Sequence, residues 1–490
     1  MLMSLCSYSQ TEHRLTEEEK LLLPYYNQLR AAAPSVAFVT PPSSPVRTMA
    51  EWEELQAFVI AWKTYPSMLR EIVRAAKSET TVFLLYEAPD TPTSITNYLS
   101  AGGVDTVNVQ MINTPLNSVW SRDYGPWSIY INDVDTLCII DWIYNRPRPD
   151  DDLVPVAVAG FINAPLYQTT TTPSDLVHTG GNFMCDGFGT GFSSDLILTD
   201  NLPAAGFNVN HSEAEIDTIM SQFMGISRYI KMNTLPYDQI HHIDMHMKLI
   251  DEETLVMGQY PAGIADGPQI EANLQYILSN FMSVYGTPYK VIRIPMPDDN
   301  NAYPSNGGDY FTYTNSSFIN KTLIVPTYNI PEDTIALNIY RQALPGYTVT
   351  GINSLNSIPA LGALHCITKE VGVNDPLLIS HQELQDTYDT ISGYVANAFI
   401  KHRTGITSAT LYYTTDTSIG YTAIPMYILS SANDSWGAVI PSQQAGTTVY
   451  YYISANSTSG KTQVRPMPAP SGFFSFNVLQ VTEVNEEIKI

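Results

Sequence analysis

Ala57–Tyr86 reads AFVIAWKTYPSMLREIVRAAKSETTVFLLY, and its three parts decide the fold class. Ala57–Trp62 (AFVIAW) and Thr81–Tyr86 (TVFLLY) are short apolar runs, the pattern of buried strands. Between them, Ser67–Ala76 has the spacing of a helix. Strand, helix, strand in that order predicts an α/β domain, and the alternation continues to about His402. Upstream, Leu15–Ala33 has helical apolar spacing with an acidic first turn, Glu17–Glu19. A Pro-rich linker follows at Pro41–Pro45.

Past about Arg403 the texture changes. Ala409–Thr414, Ala423–Leu429, Trp436–Ile440, Thr447–Ser454 and Phe473–Val478 read as short strands separated by polar turns. That pattern predicts an all-β sandwich of immunoglobulin type, with no Cys or His for chemistry. The expected division is a leader over 1–10, a helical segment over 11–40, an α/β catalytic domain over 41–403, the sandwich over 404–479, and a polar tail or linker over 480–490.

The composition is globular: 490 residues, 44% hydrophobic and 15% charged. No apolar run reaches the roughly 18 residues of a membrane span, so none is expected. The formal charge of −24 argues against nucleic acid, whose phosphates need Lys and Arg. It suits cationic substrates, or serves solubility alone. The small, apolar MLMSLCSYSQ at 1–10 reads as the remnant of a secretory signal, so the protein is expected to be secreted or cell-surface, in a bacterium. Four cysteines, Cys6, Cys138, Cys185 and Cys366, are too few for a disulfide framework in a chain this long and lack zinc-finger spacing.

Five segments carry candidate chemistry: Trp120–Trp127 (WSRDYGPW), His178–Phe183 (HTGGNF), His242–Lys248 (HIDMHMK), Asn306–Tyr310 (NGGDY) and Ala363–Cys366 (ALHC). Their anchors, Asp123, Asn182, Asp244, Asn306 and Cys366, recur about every 60 residues, as in a radial repeat that delivers one loop per unit to a shared centre. Asp123 between Trp120 and Trp127 suits a flat cation, whose N–H fork meets the carboxylate while a ring covers its face. The alternative is an aromatic cluster with a turn-capping Asp. If His242-Ile243-Asp244 is a strand, His242 and Asp244 share a face. His242 and His246 have helical spacing for a metal, without the Glu of a zinc-protease motif. Cys366 is either an inert buried thiol or a nucleophile that needs a base or a positive field.

Trp-x-Arg-Asp-x-Gly-Pro, Gly-Gly-Asn, His-x-Asp and a late Cys, in this order over roughly Pro41–His402, resemble the guanidino-group-modifying superfamily, and most nearly the Porphyromonas-type peptidylarginine deiminases. The resemblance implies a five-bladed α/β propeller (pentein) and an immunoglobulin-like domain after it. It implies Cys366 as nucleophile, His242 as general acid and base, and Asp123 and Asp244 as the carboxylates that hold the guanidinium. Trp120 and Asn182 fall among the substrate-binding positions. Arg146 and Arg148 match a pair that grips a substrate's C-terminal carboxylate; a solvated loop is the alternative. Tyr237 and Gln239 are expected near the pocket wall, and the Asn300–Tyr313 stretch resists alignment.

The expected reaction is hydrolysis of an arginine-containing peptide to citrulline and ammonia through a thiouronium on Cys366. It calls for no cofactor, metal or calcium. Agmatine deiminase, amidino transfer to another amine, and a non-enzymatic secreted binding protein are the alternatives.

Overall fold

The computed structural model describes residues 12–30 and 37–480. The expected leader at 1–10 and all but the first residue of the expected tail lie outside them. The chain divides into two compact units. The first runs through Tyr340 and resumes at Thr348–Asn374; the second comprises Arg341–Tyr347 and the chain from Asp375 onward.

The first unit contains five separate sheets among the described residues, built on one plan. An opening strand pairs antiparallel with a second, a helix follows, and a third strand returns parallel to the second. Trp127–Ile131, Thr136–Tyr144, helix Val154–Ile162 and Leu166–Thr169 form one such set. Met184–Cys185, Thr190–Ser194, helix Glu213–Met224 and Arg228–Met232 form the next. Met247–Leu249, Thr254–Gln259, helix Gly267–Asn280 and Lys290–Pro295 repeat it. So do Ser317–Ile319, Thr322–Thr327, helix Pro331–Ala343 and Thr348–Asn353. The helix is what parallel pairing requires, because a parallel neighbour cannot be reached by a tight turn.

The remaining sheet is assembled from both ends of the unit. Leu55–Ala61 pairs parallel with Thr81–Tyr86 across helix Pro66–Ala76, as Ala57–Tyr86 predicts. Its antiparallel partner is Lys369–Gly372, from the far end, with Lys369 opposite Val59. The helix buries Met68, Leu69, Ile72, Val73 and Ala76, one apolar stripe. Each such side chain contributes about 1.5–3 kcal/mol of burial.

The N-terminal helix runs Glu17–Arg30, within the expected span. Thr16 and Glu19 cap its first turn: Glu19 N–H donates to Thr16 Oγ1 at 3.2 Å and Thr16 N–H to Glu19 Oε2 at 2.9 Å. Leu23 and Tyr26 bury against Ile143, Val177, Phe207 and Val209. Arg30 pairs with Asp152.

The second unit is all β. Leu378–His381, Tyr394–Lys401, Ser435–Ile440 and Tyr427–Ser430 make one antiparallel sheet; Thr422–Pro425, Ile406–Thr414, Thr448–Ser457, Thr462–Arg465 and Phe474–Asn477 make the other. Burial alternates strictly along Thr448–Ser457. One face therefore lines a core of Ala396, Ile400, Leu411, Tyr451, Ile453 and Phe476.

Two expectations are corrected here. The β unit begins at Asp375, not 404, because Leu378–His381 and Tyr394–Lys401 belong to its sheet; apolar runs of this length do not announce which neighbour they pair with. It therefore includes His381 and His402, and His381 is a buried structural residue between Asn397 O (2.6 Å) and Tyr451 Oη (2.9 Å). The expected strand Ala423–Leu429 is two strands, ending at Pro425 and restarting at Tyr427, in different sheets. Pro425 has no N–H for a continued ladder.

Candidate active site

The chemistry-bearing residues sit in the same place in each set, in the short turn two to four residues before the opening strand. Asp123 lies in the single helical turn Ser121–Tyr124, and Asn182 in the 3-10 turn Gly180–Asn182. Asp244 lies in the 3-10 turn Ile243–Met245 and Cys366 in His365–Ile367. Hydrogen bonds tie these turns to one another. The expected strand at His242–Asp244 is therefore corrected to a turn, and the two side chains converge through that turn rather than through alternation.

Asp123 is buried and accepts the Gly181 N–H on Oδ1 at 3.1 Å. Tyr144 Oη lies 3.4 Å from its Oδ2, and His242 Nδ1 lies 3.6 Å from Oδ1. The His242 Nε2 meets the Thr179 hydroxyl at 3.3 Å. Burial drives the His242 ring down to about 3, outweighing the attraction of Asp123, so the ring is neutral near pH 7 in this state. Burial would raise Asp123, but the His13 ring hydrogen-bonded to it outweighs burial and holds the carboxylate well below its usual range.

Asp244 places Oδ2 2.7 Å from His365 Nδ1 and 3.6 Å from Cys366 Sγ. Its Oδ1 is buried with no partner. Leaving such an oxygen dry and unpaired costs about 1–3 kcal/mol. Asn315 Nδ2 lies 3.1 Å from Cys366 Sγ, and its Oδ1 accepts the His365 N–H at 3.0 Å. Burial first, then Asp244 and Asp123, push the Cys366 thiol well above its ordinary value. Cys138 and Cys185 are also raised by burial, so the thiol's pKa does not single out the nucleophile. Cys366 differs from both in lying beside Asp244 and Asn315.

Beneath the pocket runs a chain of buried charges. His365 Nε2 meets Glu51 Oε1 at 2.7 Å, and Glu51 Oε2 meets Lys248 Nζ at 2.7 Å. Arg122 pairs with Glu370 at 2.8 Å and donates to His365 O at 3.2 Å. Burial alone would raise Glu51; His365, Lys248 and Arg122 together hold it well below the carboxylate range.

Two glycines are needed here. A Cβ on Gly181 would lie 2.4 Å from His242 Nδ1, and one on Gly180 1.9 Å from Arg122 O. Gly181→Ala should therefore lower kcat/KM about 10²-fold by displacing His242, with an unchanged circular dichroism spectrum. A loss under threefold would show that His242 tolerates the shift.

Of the expected site residues, Cys366, His242, Asp123, Asp244 and Trp120 come together. Asn182 is turned to the neighbouring strand: its Oδ1 accepts the Ser194 N–H at 2.8 Å, and its Nδ2 donates to Ser194 O. Backbone Gly181 and the Thr179 hydroxyl are the groups its motif delivers. Asn306 is exposed in the turn Pro304–Asn306, and Asn315 takes the place expected of it before the strand at Ser317. Tyr237 and Gln239 are exposed, with Gln239 accepting from Arg14 at 3.2 Å.

Arg146 and Arg148 are buried, not solvated. Arg146 Nε donates to His13 O at 3.0 Å; Arg148 donates to Glu12 O at 2.8 Å and to both Glu19 carboxylate oxygens, at 2.7 and 3.4 Å. His13 itself belongs to the same side-chain cluster. Its ring stacks on Trp120 at 4.1 Å and 6°, and its Nε2 meets Asp123 Oδ2 at 2.5 Å. Nothing in the spacing of Leu15–Ala33 signals His13. His13, Asp123 and His242 are also the one group among the described residues with atoms close enough for a shared metal. However, two ligands at about 2.1 Å from one tetrahedral ion lie about 3.4 Å apart, so the 2.5 Å contact is a hydrogen bond.

The chain is similar to a Vibrio parahaemolyticus protein named as an agmatine deiminase, 23% identical over 291 residues, 54% of this chain and 78% of that one. Among solved structures it resembles one from Porphyromonas gingivalis named as an arginine deiminase, with a TM-score of 0.58 and 21% identity over 67% of this chain and 99% of that one. It also resembles the C. jejuni agmatine deiminase, with a TM-score of 0.54 and 22% identity over 66% and 95%. These likenesses establish a shared fold. The model of the Porphyromonas-type peptidyl-arginine deiminase family matches residues 47–371, which hold the turns carrying Asp123, Asn182, Asp244 and Cys366. That match, over well more than half of the chain, places the chain in the Porphyromonas-type peptidyl-arginine deiminase family.

Proposed function

We propose that the protein deiminates arginine at the C-terminus of a peptide, releasing ammonia and leaving citrulline. The observation that carries this is the placement of Arg146 and Arg148. They are buried beside the guanidinium pocket and grip two main-chain carbonyls and a carboxylate. A peptidyl substrate has such groups near its arginine; agmatine has none. The named relatives include agmatine deiminases, whose substrate would use the pocket alone.

In the proposed mechanism Asp123 and the unpaired Asp244 Oδ1 take the guanidinium N–H groups, and Trp120 covers its face. The planar carbon is then presented to Cys366 Sγ. Substrate's positive charge offsets the two carboxylates, so the thiolate forms in the complex. Attack makes an S–C bond. The C–N bond breaks as His242 relays a proton to the departing nitrogen, which leaves as ammonia. Water, deprotonated by His242, then adds to the thiouronium carbon and expels the Cys366 thiolate, leaving the ureido group. We also propose that the five sheets stand as blades around this centre, that the β unit is immunoglobulin-like, and that the protein acts outside the cytoplasm. The last rests on composition and is tested by fractionation of cells expressing the full chain.

The substrate test compares a dipeptide ending in Arg, its C-terminal amide, and agmatine. Each lost charge-assisted contact should cost about 1.5–3 kcal/mol, roughly ten- to hundredfold in kcat/KM. The free acid should lead, and Arg146→Ala with Arg148→Ala should narrow its lead over the amide while leaving agmatine turnover little changed. Equal rates on acid and amide, or preference for agmatine, would replace this reading with a small-molecule deiminase.

A further inference from the structure

We propose that the segment Glu12–Glu19 of this chain is a substrate mimic that docks in its own substrate cleft and must leave before a peptide can enter. The proposal deepens the reading of the cleft as a peptidyl-arginine site and rests on it.

Every polar group of His13 is held. The ring lies flat on Trp120, Nε2 meets Asp123, and Nδ1 faces Leu361 O at 2.8 Å. Its N–H donates to Ala360 O at 3.3 Å, and its C=O accepts from Arg146. The preceding carbonyl, of Glu12, and the Glu19 carboxylate are both taken by Arg148. A flat nitrogenous ring thus fills the guanidinium pocket, a main chain lies where a peptide's would, and a carboxylate sits on the arginine fork. Burial of His13 is complete.

The mimic is inert for a chemical reason. An imidazole is planar and presents nitrogens as a guanidinium does, but both are locked in an aromatic ring. Thiolate attack would have no amine to expel. The segment can therefore occupy the site without being consumed.

Its attachment sets its strength. The helix Glu17–Arg30 is anchored by Leu23 and Tyr26 in the core and by Arg30 on Asp152, so the segment before it is a short tethered arm. Tethering at this range corresponds to a local concentration on the order of millimolar. A free peptide of ordinary affinity then competes poorly until the arm is displaced or cut.

The test uses the full chain and His13→Ala, which removes the ring and keeps the main chain. Two readouts are taken: KM and kcat on a dipeptide ending in Arg, and the rate at which 2-chloroacetamidine, a small amidine alkylator, labels Cys366, read by intact mass. Loss of the stack and the Asp123 contact should lower KM and speed labelling about ten- to hundredfold, with kcat unchanged. A side chain that merely supported the fold would instead lower kcat or slow labelling. Glu19→Gln, which frees one grip on Arg148, should move both readouts the same way by less, and it serves if His13→Ala fails to fold. Unchanged KM and labelling in a folded variant would overturn the proposal. Faster labelling with no product from dipeptide or agmatine in any variant would leave the arm standing and remove the deiminase reading instead.

Discussion

Cys366→Ala should lower turnover by about 10⁴–10⁶-fold and leave peptide affinity within about threefold of the parent. The carboxylates proposed to bind the cation remain in place, and the stacking surface of Trp120 is untouched. What disappears is the atom that forms the covalent bond in the proposed mechanism. Sγ is 3.1 Å from Asn315 Nδ2 and 3.6 Å from Asp244 Oδ2, surroundings that offer the thiolate one donor and much negative charge. The free thiol is accordingly raised well above its ordinary value, by burial and then by Asp244 and Asp123. A bound guanidinium neutralises those carboxylates, so the rising limb set by thiol ionisation should lie at lower pH in kcat than in kcat/KM. Steady-state rates on a dipeptide ending in Arg, with calorimetric titration of the inactive variant, check both statements. Turnover retained within a hundredfold would move the nucleophile elsewhere.

Arg122→Met should destabilise the first unit by about 3–5 kcal/mol, because it strands buried carboxylates. Arg122 is fully buried and meets Glu370 through both terminal nitrogens, at 2.8 and 3.0 Å. It also lies 3.8 Å from Glu51 and donates to His365 O. Burial would raise Glu370, yet Arg122 and Lys369 hold it at about 2. Without Arg122, Lys369 alone faces Glu370, and the turn carrying Asp123 loses its bond to the turn carrying Cys366. Urea unfolding followed through the first transition should show an earlier midpoint at unchanged slope. A loss below 1 kcal/mol would mean that Lys369, stacked 3.4 Å over Trp127, suffices.

Local pattern carried a good part of this protein. Apolar runs of five or six residues with helices between them specify the α/β class, since each run must be buried on both faces. The recurrence of Asp123, Asp244 and Cys366 at similar intervals reflects a repeated supersecondary plan, and a repeat is legible wherever the unit is local. Those three residues and His242 were recognisable because side-chain type and order survive without coordinates. Asn315 was missed in favour of Asn306 because a turn residue is defined by its distance from the opening strand, and that strand is only three residues long.

Other features depend on pairings that no local pattern contains. The boundary at Asp375 follows from which strand Leu378–His381 joins. The contact between the Cys366 turn and the rest of the site follows from Lys369–Gly372 pairing with Leu55–Ala61, from opposite ends of the unit. Glu51, Lys248 and His365 became one charge network only when three segments distant in sequence met. Arg146 and Arg148 read in the sequence more as a carboxylate grip than as a solvated loop; their burial removes the solvated loop. His13 carries no signal in the sequence. Its place against Trp120 and Asp123 was decided by the tertiary structure alone, because the direction in which a helix delivers its preceding segment depends on where its apolar face is anchored.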